Sequence, residues 1–224
     1  MKNLFLVLLF AVLQTPLFGQ FGINASYCFN DAPDWQGRDL EIVSQDAQVL
    51  ADGFAFGIDY WFRLKNQRIE FLPELNFARF AIDETVDFTV TNYSLFFNTN
   101  IYFLDFQGDC DCPTWSKEGP TLEKGLYFQL SPGITYIQQE IETIISTLDD
   151  SELAFSLGAG LGFDIGISDL ITITPNAGVR YFFPTNWEDL EILNLESSDS
   201  SPPSTESTNL QFHAGIRLGF RFDQ

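Results

Sequence analysis

The chain has 224 residues, with 31 acidic and 11 basic side chains and a formal net charge of −20 at pH 7. This length suits a single domain, and so acidic a surface repels phosphate backbones, so nucleic-acid binding is not expected. One histidine and three cysteines are too few for a disulfide framework or a usual metal site, and no cofactor is expected.

The first twenty residues differ in composition from the rest of the chain. Lys2 gives a short positive start, the segment 4–13 is apolar throughout, and the small residue Gly19 precedes polar Gln20. This layout predicts a cleaved export signal over 1–20 and one domain over 21–224. The alternative interpretation of the apolar run is a buried helix. No later segment reaches the ~20 apolar residues of a transmembrane helix, so helical spanning is not expected.

Alternation of apolar and polar residues recurs eight times and predicts eight strands, because successive strand side chains point to opposite faces. The second strand is the clearest. Phe54, Phe56 and Ile58 share one of its faces, and Gly57 and Asp59 share the other. The predicted strands are 20–29, 53–64, 68–80, 92–105, 125–138, 153–167, 170–183 and 209–223.

Two architectures place eight alternating strands behind an export signal: a soluble ligand-binding barrel with an apolar interior, and a membrane barrel with an apolar exterior. The polar face distinguishes them, because a water-facing exterior is normally rich in lysine. Here the four lysines all lie outside the strands, and the polar face carries mainly Gly, Ser and Asn with interspersed Arg. The pattern favours an all-β, eight-stranded antiparallel up-and-down transmembrane β-barrel in the outer membrane.

Charged side chains on the polar face are predicted to pair and fill the lumen, because an unpaired charge in a narrow interior costs several kcal/mol. A continuous water-filled pore would then be absent. The expected network is Asp59, Arg63, Arg68, Glu70, Glu74, Arg79, Asp164, Arg180, His213, Arg217 and Arg221.

With both termini on the periplasmic side, the outer loops are predicted at 30–52, 81–91, 139–152 and 184–208, and the inner turns at 65–67, 106–124 and 168–169. The outer loops hold six, three, five and six acidic residues in that order. They could bind divalent cations that bridge to anionic lipid, or form only a solvated surface, and the absence of a calcium-loop spacing favours the second interpretation. Cys110 and Cys112 in the long inner turn could form a disulfide, although one intervening residue makes the geometry tight.

Four features of the sequence belong together: Gln20 after the signal, the turn Cys110-Asp111-Cys112-Pro113, the strand segment 129–133 and the aromatic final strand through Phe222. Through these residues, the whole mature chain resembles a family of outer-membrane β-barrels common in the Bacteroidetes, often called PorT-like proteins. The resemblance implies an outer-membrane location, and one branch of the family is linked to a secretion apparatus. The last strand departs from the usual terminal aromatic residue by two positions.

Three functions are compatible with this pattern. The first is a non-enzymatic barrel that anchors, stabilises the membrane or engages a protein partner through its outer loops or the 106–124 turn, with membrane lipid around it. The second is a small-solute channel, which requires an open lumen. The third is a membrane-embedded hydrolase or acyltransferase that uses His213, the only imidazole, although no nucleophile motif accompanies it. The sequence favours the first.

Overall fold

The computed structural model describes residues 20–35, 49–64, 67–82, 87–104, 125–142, 147–168, 170–190 and 205–220. Within these ranges, no helix combines the length and the apolar character that crossing a bilayer requires. The strands are β1 (Gln20–Asp31), β2 (Gly53–Arg63), β3 (Ile69–Ile82), β4 (Asp87–Ile101), β5 (Leu126–Glu142), β6 (Thr147–Phe163), β7 (Ile165–Gly166), β8 (Ile171–Asn186) and β9 (Glu206–Phe220).

The strands pair antiparallel and close into a barrel. Consecutive strands pair from β1 to β6, and β1 also pairs with β9, which pairs with β8. The β6–β8 ladder, over residues 156–162 of β6, joins the two remaining edges. The short strand β7 pairs with β8 as well and continues β6 beyond Asp164, so the nine segments form eight barrel strands. The prediction of an eight-stranded antiparallel up-and-down barrel is confirmed.

The two ends of the barrel differ. Phe21 pairs with Phe220, so the first and last strands begin and end together at what we call the terminal end. The opposite end, which we call the loop end, carries the connections after β1, β3, β5 and β8. Two of these connections hold the segments 32–35, 49–52 and 187–190, which fold onto the barrel mouth.

From the terminal end to the level of Phe54, near the loop-end start of β2, the outward face is mainly apolar. Phe54 and Ile58 are each 59 % exposed, whereas Asp59 on the inward face is 3 % exposed. Exposed apolar patches of this extent mark a surface that another apolar phase covers. We call the outward surface the apolar belt, and its members include Phe21, Ile23, Phe56, Leu75, Leu95, Phe155, Leu157, Leu161 and Ile216.

At the loop end the pattern inverts, and this differs from the sequence prediction. β4 begins at Asp87, β5 extends to Glu142 and β6 begins at Thr147, so parts of the predicted loops 81–91 and 139–152 are strand. On these extensions Ile141 points inward and is fully buried, while Glu140 points outward. The polar residues therefore face out and the apolar residues face in, as in a soluble barrel, because this part of the wall extends beyond the apolar belt.

The inverted segment encloses a hydrophobic core that closes the loop end. Trp187 lies at its centre, fully buried, with its ring in edge-to-face contact with Trp35 (5.6 Å between centroids) and Phe88 (6.0 Å). The Trp35 indole N–H donates to the Thr205 carbonyl at 3.2 Å, which fixes the first connection to the last. We call this cluster the loop-end core; it contains Cys28, Ala32, Trp35, Val49, Leu50, Ala55, Ala78, Phe80, Phe88, Val90, Ile137, Ile141, Ala154, Phe182, Trp187 and Leu190.

Candidate functional site

An ion pair crosses the lumen near the terminal end. The Arg217 guanidinium donates from Nε to Asp59 Oδ2 at 2.7 Å and from a terminal nitrogen to Oδ1 at 2.5 Å. This two-pronged geometry is the one that an arginine fork offers to a carboxylate. Gly22 stands opposite Asp59 in the β1–β2 ladder, and a Cβ there would collide with the Asp59 carboxylate. The absence of a side chain at position 22 thus makes room for the pair.

Two further carboxylates at the terminal end share one hydroxyl. Tyr102 is fully buried, and its hydroxyl oxygen lies 3.0 Å from Glu70 Oε2 and 2.6 Å from Asp164 Oδ2. The Trp61 indole N–H also donates to Glu70. The Arg68 guanidinium lies over the Tyr102 ring at 4.7 Å, a cation–π arrangement. These groups close the terminal end with a mixture of aromatic rings and buried charge.

At mid-height, the charged groups are held mainly by neutral partners. Glu74 accepts hydrogen bonds from the side-chain amides of Asn98 at 2.6 Å and Asn76 at 2.8 Å. Arg180 lies with its guanidinium 3.5 Å above the Phe96 ring and donates at 3.4 Å to the Ser131 hydroxyl. The lumen therefore stabilises its charges by amide and aromatic contacts as well as by ion pairing.

His213 faces the lumen on β9, opposite Cys28 on β1 and Gly178 on β8. Its Nδ1 has no hydrogen-bond partner among the described side chains and backbone groups. Cys28 is a free thiol and is 2 % exposed. Two lumen carboxylates, Glu74 and Asp164, are hydrogen-bonded to other residues. Within the described part of the chain, no group therefore orients the imidazole through Nδ1, as the carboxylate of a catalytic triad would.

Two small voids lie in the described part of the lumen. A void of about 50 Å³ lies among Glu74, Arg180 and His213. A second, of about 20 Å³, lies beside Glu70 and Asp164 at the terminal end. Since one water molecule needs about 10–15 Å³ of such space, these voids hold a few waters and no organic substrate.

The expectation that Arg79 faces the lumen is wrong. Its odd position on β3 places it on the same side as Phe77 and Leu75, both outward, and its side chain is exposed. It stands opposite Phe54 on β2 and Thr91 on β4. Strict alternation already required this orientation, because residues 75, 77 and 79 of one strand must share a face.

Other predicted site residues lie outside the described parts of the chain. They are the side chain of Arg63, the whole of Arg221, and Cys110 and Cys112 with the 106–124 turn. The pairing expected of these arginines and the disulfide stay predictions. Among the arginines of the predicted network, Arg217 pairs with Asp59, as expected.

Three aromatic residues that face the lumen were not predicted as members of the network. Tyr102, Tyr127 and Trp61 are buried and inward, and two of them contact the carboxylates directly. The signal that could have found them is their parity with Asn100, Gln129 and Asp59 on their own strands. Alternation already places Trp61 and Tyr127 on the polar face of their strands, but the predicted network was limited to charged side chains and His213, so neither was included.

An acidic cluster lies outside the loop-end core. The Glu188 amide donates to Asp150 Oδ2 at 3.1 Å, which brings the 187–190 segment against β6. Burial raises the pKa of the Asp189 carboxyl above its ordinary value. The carboxylates of Asp150, Asp149 and Glu188 raise that pKa further. In the described ranges, no group of three or more acidic, histidine or cysteine side chains is placed to hold a metal ion.

We expect Asp189→Asn to raise the stability of the barrel slightly at pH 7. A carboxyl whose pKa is higher in the folded state favours unfolding once it ionises, so its destabilisation is present above the folded pKa and disappears as pH falls below the unfolded pKa. Because Asp189 is partly exposed to water, the effect is below about 1 kcal/mol. Urea unfolding midpoints at pH 7 and at about pH 4 measure it. The control is Asp34→Asn, which removes the same charge at an exposed position. Equal effects of the two substitutions would contradict the idea that burial and the neighbouring carboxylates destabilise ionised Asp189.

No protein-family model and no curated protein sequence matches this chain. Among solved structures, the chain is similar to Neisserial surface protein A at 11 % identity and a TM-score of 0.48, covering 92 % of this chain and 97 % of that one. It is similar to Ail, the attachment invasion locus protein of Yersinia pestis, at 14 % identity, a TM-score of 0.48 and coverage of 90 % and 99 %. It is also similar to a major outer membrane protein of Thermus thermophilus at 11 % identity, a TM-score of 0.47 and coverage of 90 % and 99 %. Similarity at this level assigns no activity to this chain, and membership of the PorT-like family stays a prediction.

Proposed function

We propose that the chain is an integral outer-membrane protein with a filled lumen, acting without catalysis as a membrane-anchored structural or interaction protein. The observation that carries the proposal is the apolar belt around a closed barrel. Residues such as Phe54, Ile58 and Leu75, each 59 % exposed, would face water in a soluble protein. In a bilayer they face hydrocarbon, and closure of the barrel leaves no unpaired sheet edge there.

A soluble ligand-binding barrel accounts for these features less well. Such a barrel keeps a hollow apolar interior for its ligand, whereas the voids here are about 50 and 20 Å³ and lie among charged side chains. The same crowding argues against a hydrolase or acyltransferase built on His213, since the space beside it admits no acyl group. It also argues against a solute channel.

The orientation that we propose places the loop end outside the cell and the terminal end in the periplasm. Two of the loop-end connections, 32–52 and 187–205, are long, and long connections on the outer side are usual for barrels of this type. The inverted wall supports this placement, because outward carboxylates such as Glu140 and Asp149 need water around them. A partner would then meet the outer connections or, from the periplasm, the 106–124 turn, and the PorT-like resemblance makes a link to secretion or envelope assembly the finer hypothesis.

We expect the purified protein, inserted into planar bilayers, to give no large and steady single-channel currents, because the lumen network and the loop-end core both close the barrel. Flotation with liposomes establishes insertion in the same preparation, and a porin added to the same bilayer serves as the positive control. Steady currents from the inserted protein would favour the channel alternative. A processed chain that stays monomeric in buffer without detergent would contradict the membrane placement itself.

A further inference from the structure

Among the arginine side chains that the structure describes, Arg79 is the one exposed on the outward barrel surface. Among the lysine and arginine side chains that the structure describes, those of Arg68 and Arg180 are buried in the lumen, and that of Arg217 is paired there. Arg79 instead points away from the axis, between Phe54 and Thr91 of the adjacent strands. A charge on the lipid-facing surface is tolerated near the membrane interface and costs about 2–4 kcal/mol at the midplane. Its position therefore marks the level of the lipid headgroups.

An apolar groove of about 660 Å³ lies on the terminal side of Arg79, across the outward faces of β2 to β6. Leu75, Leu95 and Ile134 stand opposite one another in consecutive strands and form its floor. Tyr93 and Tyr136, also opposite each other, border it toward the loop end. The groove is open along the barrel surface rather than enclosed. An aliphatic floor bordered by tyrosines at headgroup level suits an acyl chain that runs into the bilayer.

A polar cavity of about 350 Å³ continues from Tyr136 toward the loop end. Thr89, Thr91 and Gln138 contribute hydroxyl and amide groups to its walls. Thr91 stands opposite Arg79 in the β3–β4 ladder and opposite Gln138 in the β4–β5 ladder. The cation and the neutral hydrogen-bonding groups therefore share one row around the barrel, directly beyond the tyrosines.

Carboxylates limit where an anion can bind along the apolar groove and the polar cavity. Glu140 and Asp149 line the far side of the polar cavity and stand opposite each other in the β5–β6 ladder. They repel a phosphate but accept hydrogen bonds from hydroxyl groups. An anionic group is thus directed to Arg79, and uncharged hydroxyl-bearing groups to the rest of the cavity.

We propose that the apolar groove and the polar cavity together bind a phosphorylated glycolipid. One acyl chain occupies the groove, a phosphate pairs with Arg79, and sugar hydroxyls bond with Thr91 and Gln138. The arginine fork matches a phosphate, and the neutral row matches a sugar. A zwitterionic phospholipid fits less well, because it has no sugar hydroxyls to bond with Thr91 and Gln138. A second copy of the chain also fits less well, because it would bring two strongly acidic proteins together. The inference rests on the proposed membrane placement, and it names the lipid that the barrel holds.

Native mass spectrometry of the full chain, folded in a non-ionic oligo-oxyethylene detergent, tests the proposal. The probes are lipid A carrying its phosphates, the same lipid A after dephosphorylation, phosphatidylglycerol, phosphatidylcholine and inorganic phosphate. We expect phosphorylated lipid A to bind at least tenfold more tightly than each of the other lipids. Arg79→Gln should remove most of the preference for the phosphate, and Arg79→Lys should keep part of it.

Two tryptophan substitutions provide a matched pair for the groove. Leu95→Trp fills the floor of the groove, whereas Ile216→Trp places the same bulk on β9. The two wild-type side chains are similarly exposed, Leu95 at 53 % and Ile216 at 54 %. We expect Leu95→Trp to weaken lipid A binding about tenfold and Ile216→Trp to leave it unchanged. The mobility difference between unheated and boiled samples in electrophoresis shows that each variant is folded.

The proposal is overturned if Arg79→Gln binds phosphorylated lipid A as tightly as the wild type, or if phosphatidylglycerol binds equally well. It is also overturned if inorganic phosphate displaces the lipid at equal concentration, which indicates a free-anion site, or if a dimer forms across the groove. A folded barrel in detergent with no lipid preference defeats this inference alone. A chain that stays dissolved without detergent defeats the proposed function.

Discussion

Asp59→Ala is expected to lower the free energy of unfolding by about 3–5 kcal/mol, the usual cost of removing one partner of a buried ion pair. The substitution leaves the Arg217 guanidinium inside the barrel without the carboxylate that accepts two of its hydrogen bonds. Urea unfolding of the protein in lipid vesicles, followed by tryptophan fluorescence, measures the loss.

Two further variants separate the ion pair from a general effect of truncation in the lumen. The double substitution Asp59→Ala with Arg217→Met should recover much of the stability, because it removes both charges and keeps the volume of the long side chain. Thr172→Val, at a buried site whose hydroxyl has no hydrogen-bond partner in the described structure, should cost less than about 1 kcal/mol. Equal losses for Asp59→Ala and for the double variant would contradict the importance of the pair.

Trp187→Ala should destabilise the loop end by about 3–5 kcal/mol, as large-to-small substitutions of buried tryptophan do. The indole is fully buried and packs against the rings of Trp35 and Phe88, so its removal leaves a cavity in the loop-end core. The loss appears in the urea unfolding midpoint and in faster proteolysis of the outer connections in intact vesicles.

Phe183→Ala is the matched control for Trp187→Ala, since Phe183 lies four residues earlier, points outward and is 48 % exposed. It should cost much less, because its ring is not enclosed by the protein. The Trp187→Ala variant should still carry no current in planar bilayers, because the Arg217–Asp59 pair and the contacts of Tyr102 close the terminal end separately. If the two alanine variants lose the same stability, the loop-end core does not contribute as we describe.

At the inverted loop end, the alternation of apolar and polar residues correctly indicates a strand, but the face that meets water is the opposite of the one in the apolar belt. Asp87 to Thr91 alternates as regularly as β2 does, with Phe88 and Val90 inward, yet it was predicted to lie in a loop. The prediction required apolar residues to face outward, as they do in the apolar belt. Where the wall extends beyond the belt, water lies outside and the enclosed space is dry, so the same alternation has the opposite orientation.

In the lumen, the sequence predicts which side chains point inward but not which of them pair. Asp59 and Arg217 could both be placed on inward faces from parity, but 158 residues separate them. Their pairing depends on the β1–β9 closure and on the register that sets Gly22 opposite both Asp59 and Gly219. Glu74, by contrast, was expected to pair with an arginine and is instead held by Asn98 and Asn76.

By itself, the sequence determined the number of strands, their alternating faces and which face of each strand is mainly apolar, because these follow from the two-residue period of a strand. The outward position of Arg79 also follows from that period, although residue type was given more weight. Only the tertiary structure decided which inward groups meet, where the wall changes from membrane-like to soluble-like, and how the groove and Arg79 align. Those properties depend on register and closure between strands distant in sequence, and local alternation carries no information about either.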